Sequence, residues 1–162
     1  MEKTITVTYG VGKGGTTLAA FDAALFDAGI ANHNLIPLSS IIPVGFTPIL
    51  QKADLNDAEG FGDKMYVVMA EKRETRKGRA AWAGIGWAMA ETNPSKGLFV
   101  EHCGETESDV ITLINKSLAS MVSYRKEKYG AVQYKTMGIV CEEEPICAVV
   151  AAVYETEGWG ER

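Results

Sequence analysis

The chain has only three cysteines, and Cys103, Cys141 and Cys147 are spaced too widely to form a C-x-x-C pair. That spacing argues against both a disulfide framework and a zinc ribbon. No apolar run is long enough to span a membrane, and the opening residues MEKTITVTYG alternate polar with apolar groups where a secretion signal would be basic and then apolar. A cytoplasmic protein with no membrane partner is expected. Positive charge is scarce as well, because the net charge is −5 and the basic clusters EKRETRKGR and YRKEK carry acids among their lysines and arginines. No nucleic-acid surface is expected of them. Repeats, low-complexity tracts and linkers are missing, so the 162 residues, 46% of them apolar, are expected to form one domain over residues 1–162.

Residues 3–9 alternate Thr with Ile and Val, the pattern of a half-buried strand, and GVGKGG then breaks it. Thr16 or Thr17 caps a helix running to about Asp27, with Gly29 as its stop. Its apolar stripe is Leu18, Phe21, Leu25 and Phe26, and Asp22 falls inside that stripe. Strand-like runs follow at residues 34–43, 65–71, 79–91 and 97–102. In AAWAGIGWAMA, small residues between Trp82 and Trp87 suggest a sheet face that meets another backbone closely. Thr106, with Asp109 three residues on, opens a second helix with the stripe Val110, Leu113, Ile114, Leu118, Met121 and Val122. Strands at residues 133–141 and 146–154 complete the chain. This order lacks regular βα alternation, so an α+β fold is expected, a layered αββα sandwich with mainly antiparallel sheets.

Gly10, Gly12 and Gly15 satisfy G-x-G-x-x-G between a strand and a helix. A dinucleotide site also wants an acid about 20 positions on, yet residues 32–50 contain no Asp or Glu. A phosphate-binding Walker loop fails too, because Thr16 follows Gly15 where Lys is required. His102 lies beside Glu101 and Cys103, but neighbours on a strand point to opposite faces and cannot converge on one ion. No metal is expected. The remaining anomaly is Ser39 beside Ser40 inside the apolar run NLIPLSSIIP, where each hydroxyl needs a partner. Such a pair marks either a bulge or turn, or chemistry.

The segment FDAALFDAGIANHNLIPLSSIIP resembles the self-cleavage region of the pyruvoyl-dependent arginine decarboxylases, whose proenzymes carry N-x-N-L-I-x-x-S-S-I-x-P. Asn32, Asn34, Leu35, Ile36, Ser39, Ser40, Ile41 and Pro43 match as they stand, as do Phe21, Asp22, Ala24, Leu25 and Ala28-Gly29-Ile30 before them. GLFVEHCG resembles the strand that supplies the family's catalytic glutamate, here Glu101. The resemblance implies that the Ser40 hydroxyl attacks the Ser39 carbonyl through a five-membered ring, an intramolecular step favoured by proximity. β-Elimination would then leave residues 1–39 as a β chain and residues 40–162 as an α chain headed by a covalent pyruvoyl group derived from Ser40.

That ketone would form a Schiff base with arginine and accept the electron pair released with CO2, giving agmatine. By the same resemblance Glu101 protonates the substrate α-carbon, and its neighbours Leu98, Phe99 and Val100 suggest an apolar setting suited to a carboxylic acid. The resemblance also implies that Asp22, between Leu18 and Leu25, faces the guanidinium and that Asn34 positions the cleaved bond. The assembly implied is a homotrimer with sites between subunits. On the residues alone, other readings stay open. These are a catalytically silent homo-oligomeric binding protein of the same fold, a decarboxylase of another basic amino acid, and a nucleotide-binding enzyme.

Overall fold

A computed structural model describes residues 2–56 and 59–160. The elements follow in the order β1 (Lys3–Lys13), α1 (Thr17–Ala28), β2 (Asn34–Pro37), β3 (Ile41–Ile42), β4 (Phe46–Leu50), β5 (Lys64–Glu74) and β6 (Ala80–Met89), then β7 (Gly97–Gly104), α2 (Glu107–Ser123), β8 (Gln133–Val140) and β9 (Ile146–Glu157). They form a five-stranded sheet ordered β2-β5-β9-β1-β4 and a four-stranded sheet ordered β3-β7-β6-β8. Strand pairs are antiparallel except β1 with β4 and β2 with β5.

Strand alternation divides the apolar residues among three layers. Ile5, Val7, Val68, Ile85, Phe99, Ile146 and Val150 fill the space between the sheets. Ala20, Ala24, Leu25, Met65, Val67 and Val149 pack α1 on the outer face of the larger sheet. Leu98, Val100, Val110, Ile114 and Leu118 pack α2 on the outer face of the smaller one. The expected αββα sandwich is the architecture found. The burial of Val110, Ile114 and Leu118 matches the expected stripe of α2, whereas Leu113 is exposed.

Three expectations need correction. The first strand does not end at GVGKGG. It continues to Lys13, pairing with β9 through Gly10 and Gly12. A Cβ on Gly10 would lie 2.5 Å from the Ala28 nitrogen, and one on Gly12 would lie 2.3 Å from the Ala24 nitrogen. These glycines let the helix backbone press onto the strand, which is a packing role and not a phosphate cradle. The same approach corrects the stripe of α1. Only alanines fit at the contact, so Ala20, Ala24 and Ala28 are buried with Leu25, while Leu18 and Phe26 are 66% and 46% exposed. Asp22 shares the outward face with them.

The third correction concerns AAWAGIGWAMA. Gly84 and Gly86 accommodate side chains of α2, Val110 and Ile114, instead of a backbone. Trp82 lies on that helix-facing side, and Trp87 lies between the sheets with its ring edge-on to Phe99. A strand at Phe46–Leu50, parallel to β1, had no signal in the sequence reading. It has a proline at its centre and follows Pro43-Val44-Gly45 directly, and it lies on a sheet edge where proline is tolerated.

The ends of α1 match the sequence signals. Thr16 caps it by accepting from the Ala19 nitrogen, and Gly29 ends it in the left-handed conformation at φ 76°. The buried Thr8 hydroxyl donates to the Ala28 carbonyl and accepts from the Ala53 nitrogen, so strand, helix end and the segment after β4 share one polar tie. Among the arginines of EKRETRKGR, Arg73 pairs with Glu71, Arg76 with Glu74 and Glu105, and Arg79 with Glu105.

A Gly12→Ala variant is expected to lose at least about 2 kcal/mol in urea unfolding, because backbone atoms cannot move aside as a side-chain tip would. Gly15→Ala, where nothing lies within 4 Å of the added carbon, is expected to stay within about 0.5 kcal/mol of the parent. Equal stabilities would contradict the packing role of Gly12.

Candidate active site

The apolar run that holds the serine pair is not one strand. β2 belongs to the larger sheet and β3 to the smaller one, so the chain crosses from sheet to sheet at residues 38–40. A buried strand would have hidden the two hydroxyls, whereas the crossover leaves Ser39 exposed and Ser40 half-buried. Both ends of the crossover are tied down. The Leu38 nitrogen donates to the Val67 carbonyl of β5 at 2.8 Å, and the Phe99 nitrogen of β7 donates to the Ser40 carbonyl at 2.9 Å.

The Ser40 Oγ donates to Glu101 Oε2 at 2.6 Å. Glu101 reaches it because it sits two residues beyond Phe99 on β7 and shares the face that looks toward the other sheet. The sequence reading surrounded Glu101 with Leu98, Phe99 and Val100, but alternation turns Leu98 and Val100 toward α2 and leaves only Phe99 on its side. A second aromatic group comes from the opposite sheet. The Tyr154 ring of β9 meets Phe99 edge-on at 6.1 Å, and its hydroxyl donates to the Ile41 carbonyl at 2.7 Å. Burial, and after it the negative charge of Glu101, pushes that phenol well above its ordinary value, so it keeps the proton that it donates to Ile41.

The carbonyl between the two serines has its own partner, since the Ile41 nitrogen donates to the Ser39 oxygen at 2.7 Å. A hydroxyl and a polarised carbonyl on the adjoining peptide therefore share one turn of chain, and a carboxylate from β7 meets the hydroxyl there. These are the parts of an acyl-transfer site.

His102 points the other way, as strand alternation requires. Its Nε2 lies 2.7 Å from the Ser117 Oγ of α2, so Glu101 and His102 serve opposite faces of β7. Among the described residues no group of His, Cys, Asp and Glu is arranged to hold a metal.

The remaining expected site residues lie apart from the serine pair within one chain. Leu18 and Asp22 are on the outward face of α1, and Leu25 is turned inward against the larger sheet. Asn34 is exposed at the start of β2, where its Nδ2 donates to the Gly62 carbonyl at 2.7 Å. No hydrogen bond or ion pair joins any of these described residues to Ser40 or Glu101. Tyr154 and the backbone donors of Ile41 and Phe99 were missed by sequence reasoning. A tyrosine closing a run of buried β9 residues has no pattern that marks its hydroxyl, and a peptide N–H leaves no trace in a sequence.

Fold and site together define an enzyme-like centre in which a serine, its own backbone and a carboxylate are set for proton and acyl movement. A family model described as "Pyruvoyl-dependent arginine decarboxylase (PvlArgDC)" matches residues 4–158. The chain belongs to the pyruvoyl-dependent arginine decarboxylase family. A relative from Halobacterium salinarum described as a pyruvoyl-dependent arginine decarboxylase is 40% identical over 154 residues, covering 93% of this chain and 92% of the relative. Relatives of the same description from Methanocella arvoryzae and Pyrococcus abyssi are 34% and 30% identical over 142 residues each. Those matches cover 85% and 87% of this chain and 82% and 87% of the relatives.

Burial holds the His102 imidazole below its ordinary value of 6.5, opposed only in part by the charge of Glu101. The unfolded chain therefore binds this proton more readily than the folded one. Stability is expected to be full above about pH 6.5 and to fall as the pH drops from there toward the folded value. Titration by NMR should give a midpoint below 6.5, and His102→Asn should lose that part of the pH dependence. A midpoint above 6.5 would contradict the burial argument.

Proposed function

We propose that this chain decarboxylates L-arginine to agmatine, using an electron acceptor that it makes from its own Ser40. The observation that carries the reading is the 2.6 Å hydrogen bond from the Ser40 Oγ to Glu101 at the point where the chain crosses between sheets. Arginine enters from the relatives, which are described as pyruvoyl-dependent arginine decarboxylases.

Self-processing follows from the chain's own groups. Glu101 orients the Ser40 hydroxyl and relays its proton to the Ser40 nitrogen as Oγ bonds to the Ser39 carbonyl carbon and the C–N bond breaks. The ester so formed loses the Ser40 α-proton and the Cβ–Oγ bond, releasing the carboxylate of Ser39. Water then replaces nitrogen as ammonia is lost. The fold tolerates this break. The fragment 1–39 keeps β1 paired with both β9 and β4 in the middle of the larger sheet, and β2 stays paired with β5. Only the link between two separately anchored edge strands is lost.

The residues present fit a pyruvoyl group at position 40. The Phe99 N–H already holds the carbonyl that would belong to it, and Glu101 already faces its side chain. Such a group supplies an electrophilic carbonyl that captures an amine and takes up the electron pair left by departing CO2. Glu101 then carries a proton on a carboxyl oxygen beside the substrate α-carbon.

Recognition of the guanidinium falls to Asp22, flanked by Leu18, with Leu25 seating the helix from beneath and Asn34 positioning the cleaved end of a neighbouring copy. Because these groups lie away from Ser40 within one chain, the reading places them in the site of a neighbouring copy. A homotrimer with sites between subunits satisfies this. Its support is the exposed apolar surface of Leu18 and Phe26 beside Asp22. Among the described residues no helix is long and apolar enough to cross a membrane, and we assign the protein to the cytoplasm.

Denaturing mass spectrometry and CO2 release from arginine test this reading together. Ser40→Ala is expected to remain one uncleaved chain. Glu101→Gln keeps an acceptor for the Ser40 hydroxyl and loses the proton carrier. It should still cleave, more slowly, while kcat falls about 10²-fold or more. Asp22→Asn should cleave normally and raise KM for arginine about tenfold or more. Unchanged turnover in purified Glu101→Gln would remove that residue from the mechanism.

A further inference from the structure

One peptide unit at the crossover is held from both sides in a way that self-cleavage alone does not require. The unit is the Ser40–Ile41 peptide. Its carbonyl accepts from the Phe99 nitrogen at 2.9 Å, which fixes the plane of the group. Its N–H, at the opposite edge of that plane, then lies on the Ser39 oxygen at 2.7 Å. The next carbonyl, that of Ile41, accepts from the Tyr154 hydroxyl at 2.7 Å. Tyr154 comes from β9 in the other sheet, and its ring is wedged against Phe99, which in turn packs edge-on to Trp87. The tyrosine thus braces the start of β3 across the gap between the sheets. β3 has only two residues, and its ladder with β7 is correspondingly short.

We propose that the Ile41 N–H is the oxyanion donor for the acyl shift at Ser39, and that Tyr154 is the positioning residue that keeps it aimed. This rests on the self-processing reading above. When the Ser40 Oγ adds to the Ser39 carbonyl carbon, the C=O electron pair moves onto the Ser39 oxygen. The Ile41 N–H already touches that atom and meets the growing charge without rearranging. Collapse of the adduct returns the electron pair, breaks the C–N bond and leaves the proton on the Ser40 nitrogen. The donor is built from the chain that is being cut, so it needs no side chain. Its direction depends on two anchors downstream of the break, Phe99 and Tyr154, which remain after cleavage.

The test uses full-length chain from cell-free synthesis, followed by denaturing mass spectrometry with and without hydroxylamine, which traps an ester at Ser39 as a hydroxamate. Tyr154→Phe keeps the ring and removes only the hydroxyl. It should melt within a few degrees of the parent, cleave about tenfold more slowly or worse, and accumulate no trapped ester, since the slowed step precedes the ester. Replacing Ile41 by its α-hydroxy acid puts an ester oxygen in place of the N–H, which also weakens the Ser40 carbonyl as an acceptor, and should slow cleavage at least as much; this variant is followed without hydroxylamine, which would cut the new ester. Parental rates in both variants, or slow cleavage with ester accumulating, would overturn the proposal. An uncleaved parent chain would instead remove the self-processing reading on which it rests.

Discussion

The chain passes from one sheet to the other at residues 38–40, and the rest of the site depends on that passage. A β-strand buries its hydrogen-bonding groups in a ladder and its side chains in alternate faces, leaving no room for a reactive alcohol beside its own carbonyl. A crossover frees the backbone groups of two or three residues from the ladder. In this protein, they are taken up at once by specific partners: Val67 before the serines, Phe99 and Tyr154 after them, and Ile41 on the carbonyl between. Holding the peptide so firmly while leaving the Ser40 hydroxyl on a carboxylate brings the reactive groups into proximity.

The surrounding layers are anchored on both sides of the serine pair, which is what the proposed cleavage requires if the fold is to be kept. The close seat of α1 on β1 uses Gly10 and Gly12 on the strand and Ala20, Ala24 and Ala28 on the helix, and Thr8 ties the helix end to Ala53 in the segment after β4. The strand and the helix both belong to the first 39 residues, yet the strand lies inside the larger sheet between β9 and β4. Each piece therefore keeps its share of the buried apolar layers whether or not the link is whole. Ser39, exposed, and Ser40, half-buried, belong to none of the three apolar layers.

Both helices, most of the strands and three helix-end signals are legible in the sequence, because Thr16, Gly29 and Thr106 act through local geometry that a sequence records. Ser40 and Glu101 were legible through the family motif, and the structure brings them together across 61 positions of chain. What failed did so for physical reasons. The apolar stripe on α1 was read as the buried face because Leu and Phe outrank Ala in hydrophobicity. Where the helix is pressed onto glycines only small residues fit, so Leu18 and Phe26 turn outward while Leu25 is buried beside the contact. The G-x-G pattern was read as a loop because glycine is poor in strands, yet here the missing side chains are what the packing uses. The break between β2 and β3 was invisible because both halves are equally apolar, and the second sheet is nothing a local pattern can see. Tyr154 and the backbone donors carry no local signature at all.

The central claim is that the peptide between Ser39 and Ser40 is replaced by a ketone at the head of a new chain. The most direct measurement is mass spectrometry of the purified protein after treatment with an aminooxy label, which reacts with ketones. The account predicts a fragment of residues 1–39 with a free carboxyl end and a partner beginning at position 40, lighter by one ammonia than a serine-initiated chain and carrying a single label at its first residue. An intact 162-residue chain that takes up no label, or a cut chain that still begins with serine, would contradict it.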